Sequence, residues 1–440
     1  MKNYRYIKIL LIVFSIILIS AIVYLKEKKS TVNITVFFKS QVEMLKSDFI
    51  SEYERIFPDE KVEIEYILDD IDSSFSFENW DKAIEDYIDN NKVDVLYGFE
   101  IEELEKLIKD GYLCNLDEYI SKFNFPIENI TESSINSIRE ASNKNNIDGL
   151  FALSPTFNNG IIIYNKDIFD KFGVEYPDSE LTWESLISVC ENLKEKVPNN
   201  ISILGFGPLG LSGAYTDFQQ FIYPIYSQYV ENDIIINEEN YFNLWSYYID
   251  IYNKYSLNYT DGDDFINGYC CIRVIYPPEL REFNKYIGKD VIKNNSIGTS
   301  TFPIFKNING YGISKASALM AISSNSNRKY SAWKLIEYAN GKEYAKHYVK
   351  TVQKVRSFGG GIPSYVDDDI IELLNNLNGV DSSVFYSGKS KLISSSILTS
   401  EEIIECDILA NDIMYNSIKN NKIEHLDLEP LINKIQEYIE

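Results

Sequence analysis

The groups that could do chemistry in this chain are five cysteines, two histidines and 66 carboxylates. Cys114, Cys190, Cys270, Cys271 and Cys406 are odd in number and scattered, with neither metal-ligand spacing nor a C-x-x-C pair. His347 and His425 stand alone on helix-like stretches, and zinc would need partners that the sequence does not supply. The spacing predicts no metal centre and no cofactor. Carboxylates such as Glu279 and Glu282, one helical turn apart, are the residue types a glycosidase uses. In so acidic a chain such pairs arise by chance, and solvated surface acids are the better reading. "GFGPLG", 205–210, has the letters of a dinucleotide fingerprint, but Pro208 interrupts the loop and Ile225 stands where an acid belongs. "GGG" at 359–361 reads equally as an anion nest or as a turn that needs positive φ. No catalytic residue is predicted.

The aromatic residues carry more information. There are 33 Tyr, 24 Phe and 4 Trp, several beside turn signals at strand ends: Tyr97, Phe99, Phe157, Tyr215 and Tyr276. A flat ring with a polar handle suits the C–H face of a sugar, and it suits ordinary packing as well. For Trp183 and Trp333, on helical patterns, packing is the reading. For Tyr97 and Tyr276 ligand contact gains weight, because ligands of α/β sheets bind outside the carboxyl ends of strands. The net charge of -24 repels phosphate backbones and predicts no nucleic-acid partner.

These side chains need a scaffold, and 440 residues suggest two or three domains. "VNITVFF" alternates as a strand and runs into Lys39-Ser40-Gln41. A helix over about 43–56, the strand "KVEIEYIL", the helix "WDKAIEDYIDNN", the strand "KVDVLYGF" and the helix "EIEELEKLIKDGYL" follow. That alternation predicts an α/β domain with a parallel sheet. An extended segment then runs to 160–164, and helices start at Asp167 and at Thr182-Trp183-Glu184. Residues 217–259 are mostly helical; "CCIRVIY" is a strand, "IGTSTFPIF" is extended and "YGISKASALMAISS" is a strand pair. A helical pair over 331–349 breaks at Gly341. The tail from Asp367 is helical apart from 382–396.

The N-terminus predicts a membrane link. Lys2, Arg5 and Lys8 precede an uncharged apolar run over 9–25, which stops at Lys26-Glu27-Lys28-Lys29. At ~1.5 Å rise per residue this run nearly crosses a ~30 Å hydrocarbon core. It lacks a clear small-residue cleavage site and has no Cys at its end. An uncleaved anchor, with residues 1–8 cytoplasmic and the rest on the extracellular face, is the expectation. A cleavable signal peptide is the alternative.

Seven words in order resemble the family-1 extracellular solute-binding proteins of ABC importers: "FFKS" with "EYERIFPDEKVEIEY", "KVDVLYGFEIEELEKLIKDGYLCNLDEYI", "GLFALSPTFNNGIIIYNKDIFDKFGVEYPDSELTWESL", "FINGYCCI", "IGTSTFPIF", "ALMAISSNSNRKYSAWKLIEYANGKEYAK" and "GGGIPSY". The resemblance implies a two-lobed, periplasmic-binding-protein-like fold: two α/β domains joined by crossing strands, closing on a ligand by a hinge. It divides the chain into 32–153 with 302–355, and 156–299 with 357–440. It places ligand-facing positions at Ser40 and Gln41, at Tyr97, Gly98 and Phe99, at Phe157 and Asn158, at Tyr276, and at Gly359, Gly360 and Gly361. The family often has Gly-x-Trp after the late strand, where this chain has Ile275-Tyr276-Pro277-Pro278. It implies a monomer, a small-molecule ligand such as a carbohydrate, and ABC permease subunits as partners. Two other readings stand beside it. One is a ligand sensor of the same fold acting on a membrane signalling partner; the other is an extracellular glycosidase.

Overall fold

The period-2 runs "TVNITVFF" and "KVEIEYIL" form β1 (Thr31–Phe38) and β2 (Lys61–Leu68), parallel strands in register from Thr31–Lys61 to Phe38–Leu68. The structure, a computed structural model, describes residues 31–38, 40–68, 80–99, 101–205, 218, 230–231, 234–235, 238–255, 263–277, 296–304, 312–316, 318–352, 361–387, 390–392, 400–420 and 423–439. The further strands are β3 (Val95–Phe99), β4 (Thr156–Asn159), β5 (Ile161–Asn165), β6 (Ser202–Gly205), β7 (Val230–Glu231), β8 (Ile234–Ile235) and β9 (Cys270–Ile275). They continue with β10 (Ile297–Thr301), β11 (Gly312–Ala316), β12 (Leu319–Ile322), β13 (Ile362–Pro363) and β14 (Ser390–Leu392). Two compact units result. The first is Met1–Ile127, Ile138–Pro155 and Ala318–Ala345; the second is Glu128–Ser137, Thr156–Ser317 and Lys346–Glu440.

In the first unit the sheet order is β12-β3-β1-β2, with β1, β2 and β3 parallel and β12 antiparallel to β3. Parallel neighbours need crossovers, and the helices Ser40–Leu45, Ser51–Ile56 and Trp80–Asn90 lie in the connecting segments. The first helix starts at Ser40, three residues before its predicted start, and a π-helical stretch, Lys46–Ile50, joins it to Ser51–Ile56. Central β1 is buried on both faces, Val32, Ile34 and Val36 on one and Asn33, Thr35 and Phe37 on the other. Edge strand β2 carries Lys61, Glu63 and Glu65, charges that discourage pairing with a foreign strand. Buried Asp94 accepts from the Asn33 N–H at 2.9 Å and the Ser326 hydroxyl at 2.6 Å, tying β1 to the start of helix Lys329–Ala339. Trp333 of that helix is fully buried against Tyr119, Phe123 and Phe125, a packing role as its helical pattern predicts.

The second unit holds two four-stranded sheets, β10-β5-β9-β6 and β13-β4-β11-β14, and the small pair β7-β8. The segment 152–186 follows its predicted grammar. Asn165 caps helix Lys166–Phe172 by accepting from the Ile168 N–H at 3.2 Å, and Gly173, at φ 61°, ends it. Thr182 and Ser185 form a capping box at the start of helix Trp183–Lys196. "YGISKASALMAISS" does give two strands, but they do not pair with each other. β11 joins β4 and β14, while β12 joins β3.

All five cysteines are free thiols, and Cys190, Cys270, Cys271 and Cys406 are buried. Burial pushes Cys270 up to about 11 and raises Cys190 and Cys271 as well, which keeps them protonated and unreactive near neutral pH. Among the described residues no group of three or more His, Cys, Asp or Glu is placed to hold a metal ion. Among them also, no helix is long and apolar enough to cross a membrane. The apolar run 9–25 and "GFGPLG" beyond Gly205 lie outside the described residues.

Candidate functional site

In the first unit the parallel pairing of β1 and β3, with Val36 opposite Tyr97, brings the carboxyl ends of both strands to one edge of the sheet. Ser40 and Gln41, expected in a loop, are the first residues of a helix there. Tyr97, Gly98 and Phe99 occupy the end of β3. Opposite them the register shifts between Leu319 and Met320, which face Phe99 and Tyr97, so Gly98 is the extra residue of a β-bulge. Its φ of 85° is one that a side chain rarely tolerates.

The bulge explains why Tyr97 and Phe99, two residues apart, fare differently. Tyr97 is half-buried. Phe99 is buried and packs on Phe37, ring centroids 6.1 Å apart. Its ring belongs to the core of the first unit, which takes it out of the exposed candidates.

In the second unit antiparallel pairing gathers three chain segments at one end of a sheet. Ile161 lies opposite both Ile275 and Thr301, so Gly160, Tyr276 and Phe302 converge just beyond them. Tyr276 is half-buried there, and Phe302 meets Trp183 edge-on at 6.1 Å. β4, in the other sheet of the unit, runs into Gly160 and carries Phe157 and half-buried Asn158. Phe157 is fully buried, edge-on to Tyr386 at 5.5 Å, so it too is a packing residue. The Tyr386 hydroxyl donates to the Pro363 carbonyl at 2.9 Å, and burial holds its phenol well above the usual value.

Of the glycine loop, Gly359 and Gly360 lie outside the described residues. Gly361 does not meet the positive-φ expectation made for it. Its φ is not left-handed; instead its backbone presses on that of Phe157, whose carbonyl oxygen lies 1.8 Å from where a Cβ would stand. The Tyr348 hydroxyl donates to the Gly361 carbonyl at 3.1 Å. Close approach of two strands, and not turn geometry, is the reason for glycine at this position.

Three residues here carried no expectation. Asn159 is buried and its side-chain amide donates to the Phe385 carbonyl at 2.9 Å. Arg273, opposite Ile163 and Gly205 in mid-strand, is fully buried; a lone arginine within "CCIRVIY" was the available signal. A side chain at Gly160 would be tight, since an ideal Cβ would lie 3.1 Å from Phe302 Cδ2 and 3.3 Å from Tyr276 Cε1.

The structure thus places Tyr97 and Gly98 at the end of β3 in one unit, where Ser40 and Gln41 begin a helix, and leaves Asn158 and Tyr276 half-buried in the other. Tyr97 and Tyr276 bring phenols, Asn158 an amide and Gly98 bare backbone. Such groups can bind and orient a neutral polar molecule.

The family model for bacterial extracellular solute-binding proteins matches residues 40–346. Among solved structures, a sugar transporter from Rhizobium etli in an open conformation superposes with TM-score 0.63 at 15% identity, over 92% of this chain and 99% of that one. The sugar-binding protein MalE from Xanthomonas citri gives TM-score 0.61 at 15% identity, over 93% and 97%. An ABC substrate-binding protein from Listeria monocytogenes in complex with cycloalternan gives 0.52 at 16%, over 93% and 99%. At such identities the likeness shows a shared fold.

Proposed function

Because this chain belongs to the bacterial extracellular solute-binding protein family, with the α/β fold of its two-lobed members, we propose that it captures a neutral sugar or oligosaccharide for an ABC permease. One observation carries the choice of ligand. Among the described residues, the half-buried candidates at the strand ends, Tyr97 and Gly98 in one unit and Asn158 and Tyr276 in the other, include no carboxylate, ammonium or guanidinium. A phenol offers a flat apolar face and a polar tip, which match the C–H face and hydroxyl rim of a pyranose. A charged solute would need an opposite charge to offset its lost hydration. The relatives agree: MalE of Xanthomonas citri is a sugar-binding protein, and the Listeria protein was captured with cycloalternan.

Calorimetry and thermal shift with maltotriose, cycloalternan, galactose, glutamate and a basic peptide test this. A neutral saccharide is expected to bind saturably, be recovered unchanged, and at ~100 times its Kd add ~2.7 kcal/mol of stability. A response confined to glutamate or the peptide would sink the reading. Tyr97→Ala and Tyr276→Ala are each expected to weaken that binding by about tenfold, since a lost ring contact is worth ~1 kcal/mol or more. Melting temperature should hardly move, because each ring is only half-buried. Unchanged affinity together with a large stability loss would make them packing residues.

The same reading includes residues 9–25 as a retained membrane anchor, on the strength of their apolar length and missing cleavage signal. Mass spectrometry of membrane and medium fractions should find the intact N-terminus in the membrane. A soluble form beginning after residue 25 would overturn the anchor without touching the ligand.

A further inference from the structure

Two cross-strand glycine–tyrosine pairs sit in the β10-β5-β9-β6 sheet, and comparing them isolates a positioning device. In the first, Gly298 of β10 lies opposite Tyr164 of β5. An ideal Cβ at 298 would stand 2.0 Å from Tyr164 Cζ, so the ring lies over the glycine. Tyr164 is 6% exposed and continues into Phe169 and Tyr176 at 5.3 and 5.4 Å. That pair is ordinary packing inside the unit.

The second pair has the same cross-strand placement with a looser fit, in a different setting. Gly160 precedes Ile161 and Tyr276 follows Ile275, and those two neighbours are opposite each other. A Cβ at 160 would be 3.3 Å from Tyr276 Cε1, 3.4 Å from its Cζ and 3.1 Å from Phe302 Cδ2. One edge of the Tyr276 ring therefore rests on the glycine, with Phe302 beside it. Unlike Tyr164, Tyr276 keeps part of its surface exposed, at the end of the sheet where β9 finishes. The backbone of Gly160 is not left-handed, so alanine is conformationally acceptable there. A methyl group would press on two rings and do nothing else.

We propose that Gly160 is a positioning residue for Tyr276: the missing side chain lets the phenol settle against the strand in one orientation, presenting a pre-set face to the sugar. The functional half of this rests on Tyr276 being a ligand contact. Pre-setting matters because a ring that must be ordered on binding spends affinity on its own immobilisation. Contacts of 3.1 to 3.4 Å are too tight to keep and too mild to unfold the sheet. The expected consequence of Gly160→Ala is a displaced ring on an intact scaffold.

A double-mutant cycle separates this from general damage. With maltotriose, or whichever saccharide of the panel binds, as probe, Gly160→Ala should weaken binding about as much as Tyr276→Ala. The double variant should bind no worse than Tyr276→Ala alone. Equal further loss in the Tyr276→Ala background, or wild-type affinity in Gly160→Ala, overturns the proposal. A single 3-fluorotyrosine at 276 reads the ring without any ligand. Its fluorine line should be one sharp signal in the parent and shift or broaden with alanine at 160; an unmoved line also overturns the proposal. If no saccharide binds, the proposed ligand class fails while this spectrum still decides the positioning. Should Gly160→Ala fold poorly, Gly160→Ala with Phe302→Leu gives the methyl room on one side only and is read in the same way.

Discussion

Trp333→Ala is expected to cost the first unit about 3–5 kcal/mol, the range for deleting a large buried aromatic. The indole is fully buried on helix Lys329–Ala339. It stacks near Tyr119 at 5.7 Å and Phe123 at 6.4 Å and meets Phe125 edge-on at 5.7 Å. Three partners on the 117–125 segment lose contact at once, and alanine leaves a cavity that helix and segment cannot both close. Against a typical total of ~5–15 kcal/mol such a loss is a large share. Urea unfolding followed by circular dichroism should show a lower midpoint at similar slope. The folded fraction should bind saccharide as the parent does, since Trp333 packs against none of the ligand candidates named above. A loss under ~1 kcal/mol would mean that this aromatic cluster is not part of the core, which its burial contradicts.

The role of Trp333 was legible because it rests on local pattern. A helical stretch with an apolar stripe tells which residues face inward, and periodicity extends over a few turns only. Caps are local in the same way. Asn165 and Thr182 satisfy N–H groups three residues on, so the letters N-K-D and T-W-E announce helix starts with no knowledge of the rest. Strand pairing is different in kind. β11 and β12 are separated by two residues, yet they join sheets of different units, because the partners that claim them come from β4 and β3. No local letter records a partner that far away.

The candidate site divides along the same line. That strand ends of an α/β sheet carry ligands pointed to Tyr97 and Tyr276, and both keep exposed surface there. The rule names a place but not a face. Phe99 and Phe157 share the place and turn inward, Phe99 past the Gly98 bulge and Phe157 onto Tyr386. Bulges arise from the register of two strands, so a single strand's sequence does not display them. Gly160 could have been noticed, standing between "NN" and an unbroken apolar run, but its reason is the cross-strand ring of Tyr276.

Gly361→Ala should show how much hangs on one such long-range approach. An ideal Cβ at 361 would lie 1.8 Å from the Phe157 carbonyl oxygen, 2.3 Å from its carbon and 3.0 Å from the Asn158 nitrogen. All three are backbone atoms of β4, which cannot swing aside as a side-chain tip does. The strands must part, breaking the pairs of Ile362 with Phe157 and Pro363 with Thr156 and straining the Tyr348 hydrogen bond. Overpacking a core costs ~1–3 kcal/mol and occasionally more, and a clash with fixed backbone belongs at the top of that range or above it. For a unit of this size each kcal/mol lowers the melting temperature by roughly 2–4 °C. Binding should suffer too, because β4 carries the candidate Asn158 and runs directly into Gly160, on which Tyr276 rests. That second loss distinguishes the variant from Trp333→Ala, whose folded fraction keeps its affinity. Differential scanning calorimetry and titration with the binding saccharide measure both effects on one sample. Wild-type melting with wild-type affinity would mean that β13 and β4 have room for a methyl group, and the close approach would have to be abandoned.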